Sequence, residues 1–502
     1  MVLWRDLPVT DTPGMNSDAA GGGLFEGEGP TEAAPGSAGS GSPPRAAGSR
    51  KEVFRSWEVE QGELFPATAV DLLPAGHLVH LVRRIVREEL DLAGVYARYT
   101  SSKGQPPYHP GLMTALLLYG YCRGVYSSRR LQIACEERLD FRALVGSERP
   151  DHSTIAQFRK DHVEALSGLF VQVLSLCREA GMVRLGHVAL DGTKVKANAS
   201  KHAAMSYKRM KEAEPELAQE VESWMERSRK DDEAEDAEHG PDKRGDEIPP
   251  HIEEKVRKLA KMRAAAARLE DEAQAEAERV AAERAAKEAE RGSRVSGPVP
   301  RALEGKPEER AQCNFTDPES RIMKTADGFE QAYNAQAAVD ADSQVIVACG
   351  VATEQNDGGQ LVPMVDQVEA NMGAKPQQVS ADAGFCSETN LGALEDRGID
   401  AYVATGRQKH GTPSATGARE RPLGSKAAAM REKLRAGGYE SPYRLRKQTV
   451  EPVFGQIKEA RGFRAFLRRG LRAVRGEWAL VCTAHNLLKL ARAGMTAAAA
   501  TA

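Results

Sequence analysis

Three acidic residues stand at places where a fold could gather them. Asp191 closes the apolar run from Val183 to Leu190, Asp382 closes the short run Gln378 to Ala381, and Glu451 lies in a helix-like segment near the C-terminus. Three converging carboxylates suit two divalent cations ~3.5–4 Å apart, which activate a water or a 3'-hydroxyl and stabilise the leaving oxygen of a phosphoryl displacement. Mg²⁺ (or Mn²⁺) is the expected ion, because it prefers carboxylate and water ligands. The seven cysteines are scattered without a Cys-x-x-Cys pair, which argues against structural zinc and against a disulfide scaffold. Singly, an aspartate ending a strand is more often a turn former; three acids at matched places are harder to explain that way.

Cations cluster around the third acid. Lys447, Glu451 and Lys458 stand at i, i+4 and i+11, one face of a continuous helix, although Pro452 suggests that the helix begins near Glu451. Lys458 would then reach a DNA phosphate beside the metals. Arg461, Arg464, Arg468 and Arg469 follow, with Arg472 and Arg475 beyond, and phosphate contact is their expected use. His485-Asn486 reads as a buried pair in a closing core helix rather than as catalytic machinery.

The elements that must position these groups follow from hydrophobic periodicity. Residues 1–50 are rich in Gly, Ser, Pro and Ala and read as disordered. Residues 51–182 read as a helical N-terminal DNA-binding domain. One helix carries Leu78, Leu81, Val82, Ile85 and Val86 on a face, another follows Pro110, and a serine-capped helix has Arg129 and Arg130 in its first turn. Ser153 is the expected cap of a further helix. Compact helices with basic starts are compatible with a helix-turn-helix reader, and equally with an ordinary helical domain.

A second strand is expected from Lys194 to Ala199, after a turn at Asp191-Gly192-Thr193. Residues 205–310 are dominated by Glu, Ala, Lys and Arg and read as a charged helical hairpin. Strand, hairpin and helix signals then resume from Phe329 and run to residue 490, with a loose Ala/Thr tail over 491–502. Without the insertion the order is three strands, helix, strand, helix, strand, helix. That is an α/β ribonuclease-H-like mixed sheet, built from 183–204 and 311–490, in which the strands ending on Asp191 and Asp382 lie side by side.

Charge agrees with a polyanionic partner. The 502-residue chain carries a formal charge of only -3, yet residues 421–490 hold 16 Lys/Arg against 5 Asp/Glu, while 201–300 hold 20 against 25. Local charge is the better guide, because salt screens fields within ~8 Å. The longest apolar stretch is too short for a membrane span, the N-terminus has no secretory pattern, and the scattered thiols suit a cytoplasmic protein without membrane contact.

The strand end Asp191-Gly192-Thr193, the run Ala381-Asp382-Ala383-Gly384-Phe385 and the segment Val450-Glu451-Pro452-Val453-Phe454-Gly455-Gln456-Ile457-Lys458 resemble bacterial insertion-sequence transposases of the DDE class. Tyr333-Asn334-Ala335-Gln336, Thr316 to Arg321, and the stretch from His109 through Arg130 to Thr154 are similar to that group as well. The nearest branch is the one numbered 1182, with a charged insertion between the first two acids. The resemblance covers roughly residues 54–490 and implies metal-dependent cutting and joining of DNA at inverted-repeat ends. It makes Asp191, Asp382 and Glu451 the metal-binding triad. Tyr443, Glu451 and Lys458 match its Tyr-Arg-Glu-Lys signature in order, while either Arg446 or Lys447 fills the basic position. Its partners would be the two repeat ends, target DNA and a second copy of the chain in a homo-oligomer, a dimer. Two alternatives stay open: a ribonuclease-H-like nuclease without strand transfer, and an idle DNA-binding derivative.

Overall fold

Ten residues from His187 to Lys196 form the strand on which the site is hung. The computed structural model describes residues 68–99, 106–239, 249–294, 300–325, 328–406, 416 and 424–501. The low-complexity start and most of the basic loop after residue 406 lie outside them.

Seven helices come first: α1 (Leu78–Arg84), α2 (Ala93–Tyr96), α3 (Pro110–Cys122), α4 (Ser128–Glu137), α5 (Leu139–Val145), α6 (His152–Asp161) and α7 (Val163–Glu179). Helix α3 is apolar all round and buried along nearly its whole length, as a helix must be when neighbours cover every face. Helix α6 is capped by Asp151, whose carboxylate accepts from Ser153 N and Thr154 N, rather than by Ser153 itself. Aspartate reaches both orphan donors at once. The Ser153 and Thr154 hydroxyls also donate to it, and these bonds above all hold its carboxyl well below the usual carboxylate range. Ser127 does stand at the N-cap of α4, without a side-chain cap bond.

The main sheet contains β1 (His187–Lys196), β4 (Arg321–Thr325), β5 (Gly328–Asp340), β6 (Ile346–Ala352), β7 (Gln378–Ala381) and β8 (Asp400–Val403). Across it the order is β6-β5-β1-β7-β8, with β4 sharing β5 beside β6. The β5–β1, β5–β6 and β5–β4 pairs are antiparallel; β1–β7 and β7–β8 are parallel. This is the ribonuclease-H-like mixed sheet that the element order implies. Helices α10 (Leu361–Met372), α11 (Glu388–Asp396), α12 (Ser425–Gly437), α13 (Leu445–Gly455) and α14 (Leu471–Thr501) complete it. Every residue of β5 from Gln331 to Asp340 is buried, so both faces of the central strand are covered.

The sequence reading needs correction at three places. Asp191 does not end a strand, and no turn separates it from a second one. β1 runs straight through Asp191-Gly192-Thr193 to Lys196, because β5 offers an unbroken antiparallel ladder opposite Val188 to Lys196. Helix α13 begins at Leu445 and carries Pro452 in its interior. Proline removes the donor that would meet the carbonyl of Gln448, four residues back. That carbonyl instead accepts from Gln344 Nε2, 3.0 Å away. Helix α14 also continues through the alanine-rich tail to Thr501, in keeping with alanine's high helix propensity.

The insertion is a helical hairpin, α8 (Tyr207–His239) and α9 (Pro250–Arg291), the latter 42 residues and so about 63 Å long. It springs from a two-stranded base, β2 (Ala204–Ser206) against β3 (Gln312–Asn314). Its small core, Met210, Met262, Ala265, Ala266, Leu269 and Cys313, is separate from the main one. By contrast, one continuous core joins the N-terminal helices, the sheet and α14. Within it the Asn486 side chain accepts from Ile346 N (2.9 Å) and donates to Ile346 O (2.8 Å), clamping β6.

Candidate active site

Parallel pairing of β1 with β7 sets Val188 opposite Val379 and Ala189 opposite Ser380. Two residues further along each strand stand Asp191 and Asp382. Their carboxylates sense each other: the Asp382 charge raises the proton affinity of Asp191. Helix α13 packs across the same strands and brings Arg446 and Glu451. Arg446 Nη1 donates to Asp191 Oδ2 at 2.6 Å, and Nη2 reaches Glu451 Oε1 at 3.4 Å. The Asp191 and Arg446 side chains are 15% and 10% exposed, while Glu451 is half open to solvent at 52%. Burial is the main force on Asp191 and lifts its carboxyl from an ordinary 3.8 to about 6; Arg446 opposes the rise, and Asp382 and Asp357 add to it.

Asp357, a fourth acid, was missed by sequence reasoning. It lies in the loop between β6 and α10 and accepts from Asn334 Nδ2 (2.6 Å), Gln336 Nε2 (2.7 Å) and, more distantly, Lys194 Nζ (3.5 Å). Asn334 and Gln336 are two apart on β5 and so share a face. A side chain at Gly192 would stand 2.5 Å from Asp357 Oδ1, so glycine is what lets this cluster close onto β1. In the sequence, Asn356-Asp357-Gly358-Gly359 reads only as a turn; the alternation of Asn334 and Gln336 was the available signal.

The remaining expected residues divide. Tyr443 is buried, with its ring 6.0 Å from the Arg446 guanidinium, and burial raises its hydroxyl pKa. Arg446, not Lys447, faces the acids; Lys447 is exposed on the far side of the helical turn. Lys458 follows α13 in a π-helical turn (Gln456–Ala460) and donates to the carbonyl of Lys194 at 2.7 Å, tying that turn to β1 rather than pointing at solvent. Arg461 is turned inward, with Nη2 3.2 Å from His485 Nδ1. Arg464 is exposed and pairs with Glu459; Arg469, also exposed, donates to Asn198 O at 2.8 Å. Arg468 is half-buried near Glu477 and Arg159. Arg129 and Arg130 are exposed on α4.

The arginine-bearing loop before α14 is held by a buried acid. Glu477, 2% exposed, accepts from Leu467 N at 3.0 Å and Arg468 N at 3.1 Å. Replacing it with alanine leaves two backbone donors unmet, so Glu477→Ala is expected to cost about 2 kcal/mol or more. Urea unfolding checks the stability, and an unchanged midpoint would mean that water replaces the carboxylate.

Among the described residues no three His, Cys, Asp or Glu side chains stand close enough to grip one ion. The Arg446 guanidinium bridges two of the acids. The donor set still fits a hard divalent cation: the oxygens are all carboxylate, and among the described residues the cations paired with these acids are Lys194 and Arg446.

Sheet order and acids thus define a ribonuclease-H-like domain of the DDE type, and comparison with known proteins agrees. Residues 305–487 match the family described as "Transposase DDE domain", and residues 68–161 match the "Transposase domain (DUF772)" family. The two matched segments thus resemble transposase families, the C-terminal of the two being of the DDE class. It is also similar to the "Putative transposase for insertion sequence element IS402" of Burkholderia cepacia, at 34% identity over 79 residues, covering 14% of this chain and 37% of that protein. The chain thus spans little more than a third of that relative's length. No solved structure matches.

Proposed function

We propose that the chain is the transposase of an insertion sequence, cutting DNA at inverted-repeat ends and joining them to target DNA. The observation that carries this reading is the meeting of Asp191 and Asp382 on adjacent parallel strands, with Glu451 brought across them by α13. Asp191, Asp382 and Glu451 would hold Mg²⁺ or Mn²⁺. When bound, such ions activate the attacking oxygen and stabilise the leaving one. The chain's own groups prepare the place for them. Arg446 holds Asp191 toward its ionised form against burial. The Asn334–Gln336–Lys194 cluster fixes Asp357 behind β1, and Lys458 locks the end of α13 to the same strand.

The exposed arginines Arg464, Arg469, Arg129 and Arg130, with Lys447, supply positive charge for DNA phosphates. Arg468, Arg461 and Tyr443 serve from behind, as packing and positioning groups. The charged hairpin inserted after β1 supports the 1182 branch. Action on two ends at once favours a homodimer. Among the described residues no helix is long and apolar enough to cross a membrane, and all seven cysteines are free, which supports a cytoplasmic setting.

The test is cleavage of a labelled duplex carrying the flanking inverted repeat, with Mg²⁺ and with chelator. Metal-dependent nicking at the repeat end is expected for the wild type and absent in Glu451→Gln. Specific binding with no cleavage by the wild type would replace this reading with that of a DNA-binding derivative.

A further inference from the structure

The helices before β1 are joined to the acid-bearing sheet without slack. Residues 180–186 connect α7 to β1, and they are stitched down along their length. Met182 N donates to Cys177 O at 3.0 Å, and Arg184 N and Leu185 N donate to the buried Asp340 carboxylate at 3.3 and 3.0 Å. Leu185 O and Gly186 O accept from Gln377 N and Gln378 N beside β7.

A second joint lies where the π-helical turn ends. Tyr126, just before α4, donates from its hydroxyl to Arg461 O at 3.0 Å and meets the Phe463 ring in a T-shaped contact. Arg159 Nη2, on α6, donates to Tyr126 O at 3.0 Å and ties that residue back to the N-terminal helices. Gly124 has φ +72°, and a Cβ there would stand 2.8 Å from Arg461 O, so the two backbones touch with no room for a side chain. Domains move against each other unless their interface is large and hydrophobic, and here one continuous core runs through both.

The same contacts bound a distance. Arg129 and Arg130, exposed in the first turn of α4, come three and four residues after Tyr126, and Arg461 comes ten after Glu451 through helical turns. At 1.5 Å per helical residue and at most ~3.6 Å per extended one, the arginine backbones stand within ~40 Å of Glu451. With side chains included the reach is ~50 Å, about 15 base pairs of duplex at ~3.4 Å each.

We infer that each chain holds and cuts the same DNA end: the arginines opening α4 and the acids Asp191, Asp382 and Glu451 of one protomer engage one duplex. This rests on the transposase reading and adds that the interval from the held repeat to the cut is built into the fold. A helical domain on a loose tether would instead hold the end that a second copy cuts.

Two measurements on the full chain test this. In the first, Arg129→Gln/Arg130→Gln and Glu451→Gln chains are co-expressed, and the mixture is assayed for nicking of the repeat-end duplex. These side chains are exposed or half-open, so both variants keep the fold. Each variant alone should lose nicking, and the mixture should stay as low, because neither chain carries both halves of the apparatus. Recovery in the mixture means that one copy cuts what the other holds, and overturns the inference. So does wild-type nicking by Arg129→Gln/Arg130→Gln alone.

The second measurement uses binding only. Ethylation interference maps the phosphates whose contact is lost in Arg129→Gln/Arg130→Gln and the one lost in Arg464→Gln, three residues past the joint at Arg461. Both should lie on one end within about 15 base pairs of each other, and a wider interval overturns the inference. Since this map needs no cleavage, a wild type that binds without cutting would remove the transposase reading and leave the interval to decide this one.

Discussion

Asp191→Asn is expected to lose cleavage of the repeat-end duplex by on the order of 10³-fold or more while melting above the wild type at neutral pH. The first effect follows from removing a carboxylate of the proposed metal-binding set: losing ~4 kcal/mol of transition-state stabilisation is about a thousandfold. The second follows from burial. Asp191 binds its proton more tightly folded than unfolded, since its carboxyl rises from 3.8 to about 6 on folding. Its contribution to stability is therefore full below pH 3.8 and is lost as pH climbs through 6. An amide has no charge to bury, so the variant's gain in melting temperature should be largest above pH 6 and vanish near pH 4. Melting curves at pH 4, 6 and 8 check it. A variant less stable than the wild type at pH 8 would show that the ion pair with Arg446 outweighs desolvation.

Arg446→Ala should act in the opposite direction. It removes the guanidinium that bridges Asp191 and Glu451 and leaves the buried acid unpaired, at a cost of about 3 kcal/mol. With its main opposing charge gone, Asp191 should titrate above its present value of about 6. The variant's cleavage should then recover as pH is raised from 7 to 9, whereas a purely structural loss would not. Arg446→Lys keeps the charge without the fork and should fall between the two. Cleavage against pH for all three proteins decides it; a flat ratio of Ala variant to wild type across that range would mean that Arg446 does not set the charge of Asp191.

These expectations rest on a site that the sequence reveals unevenly. Asp382 was legible because it ends a short apolar run before Gly384, and Glu451 because of its cationic neighbours. The place of Asp191 was legible too, although the strand runs past it. Alternating side chains continue through Gly192 and Thr193 to Lys196, and a glycine there marks close approach rather than a turn. The choice between Arg446 and Lys447 could not be made from spacing while the start of α13 was set by Pro452. The helix opens at Leu445, six residues before Glu451, and its break at Pro452 is covered by Gln344, more than a hundred residues away, which meets the orphan carbonyl of Gln448. Asp357 failed to show itself for the same reason: its partners lie on another strand, and a loop Asp-Gly-Gly has a sufficient local explanation as a turn. Lys458 and Arg461 were read as surface cations because a run of basic residues says nothing about which of them bends inward. The sheet itself, read from its order of elements, needed no such long-range information.

The helical hairpin after β1 has a consequence for how such a chain can vary. It leaves and rejoins the fold through β2 and β3, paired in space although Ser206 and its partner Gln312 lie 106 residues apart in sequence. Because its few buried side chains form their own group, lengthening or shortening the arms alters neither the packing behind Asp191 nor the ladder that joins β1 to β5. The hairpin is thus a graft on the sheet that carries the acids, free to acquire a new reach or a new partner while they stay where they are.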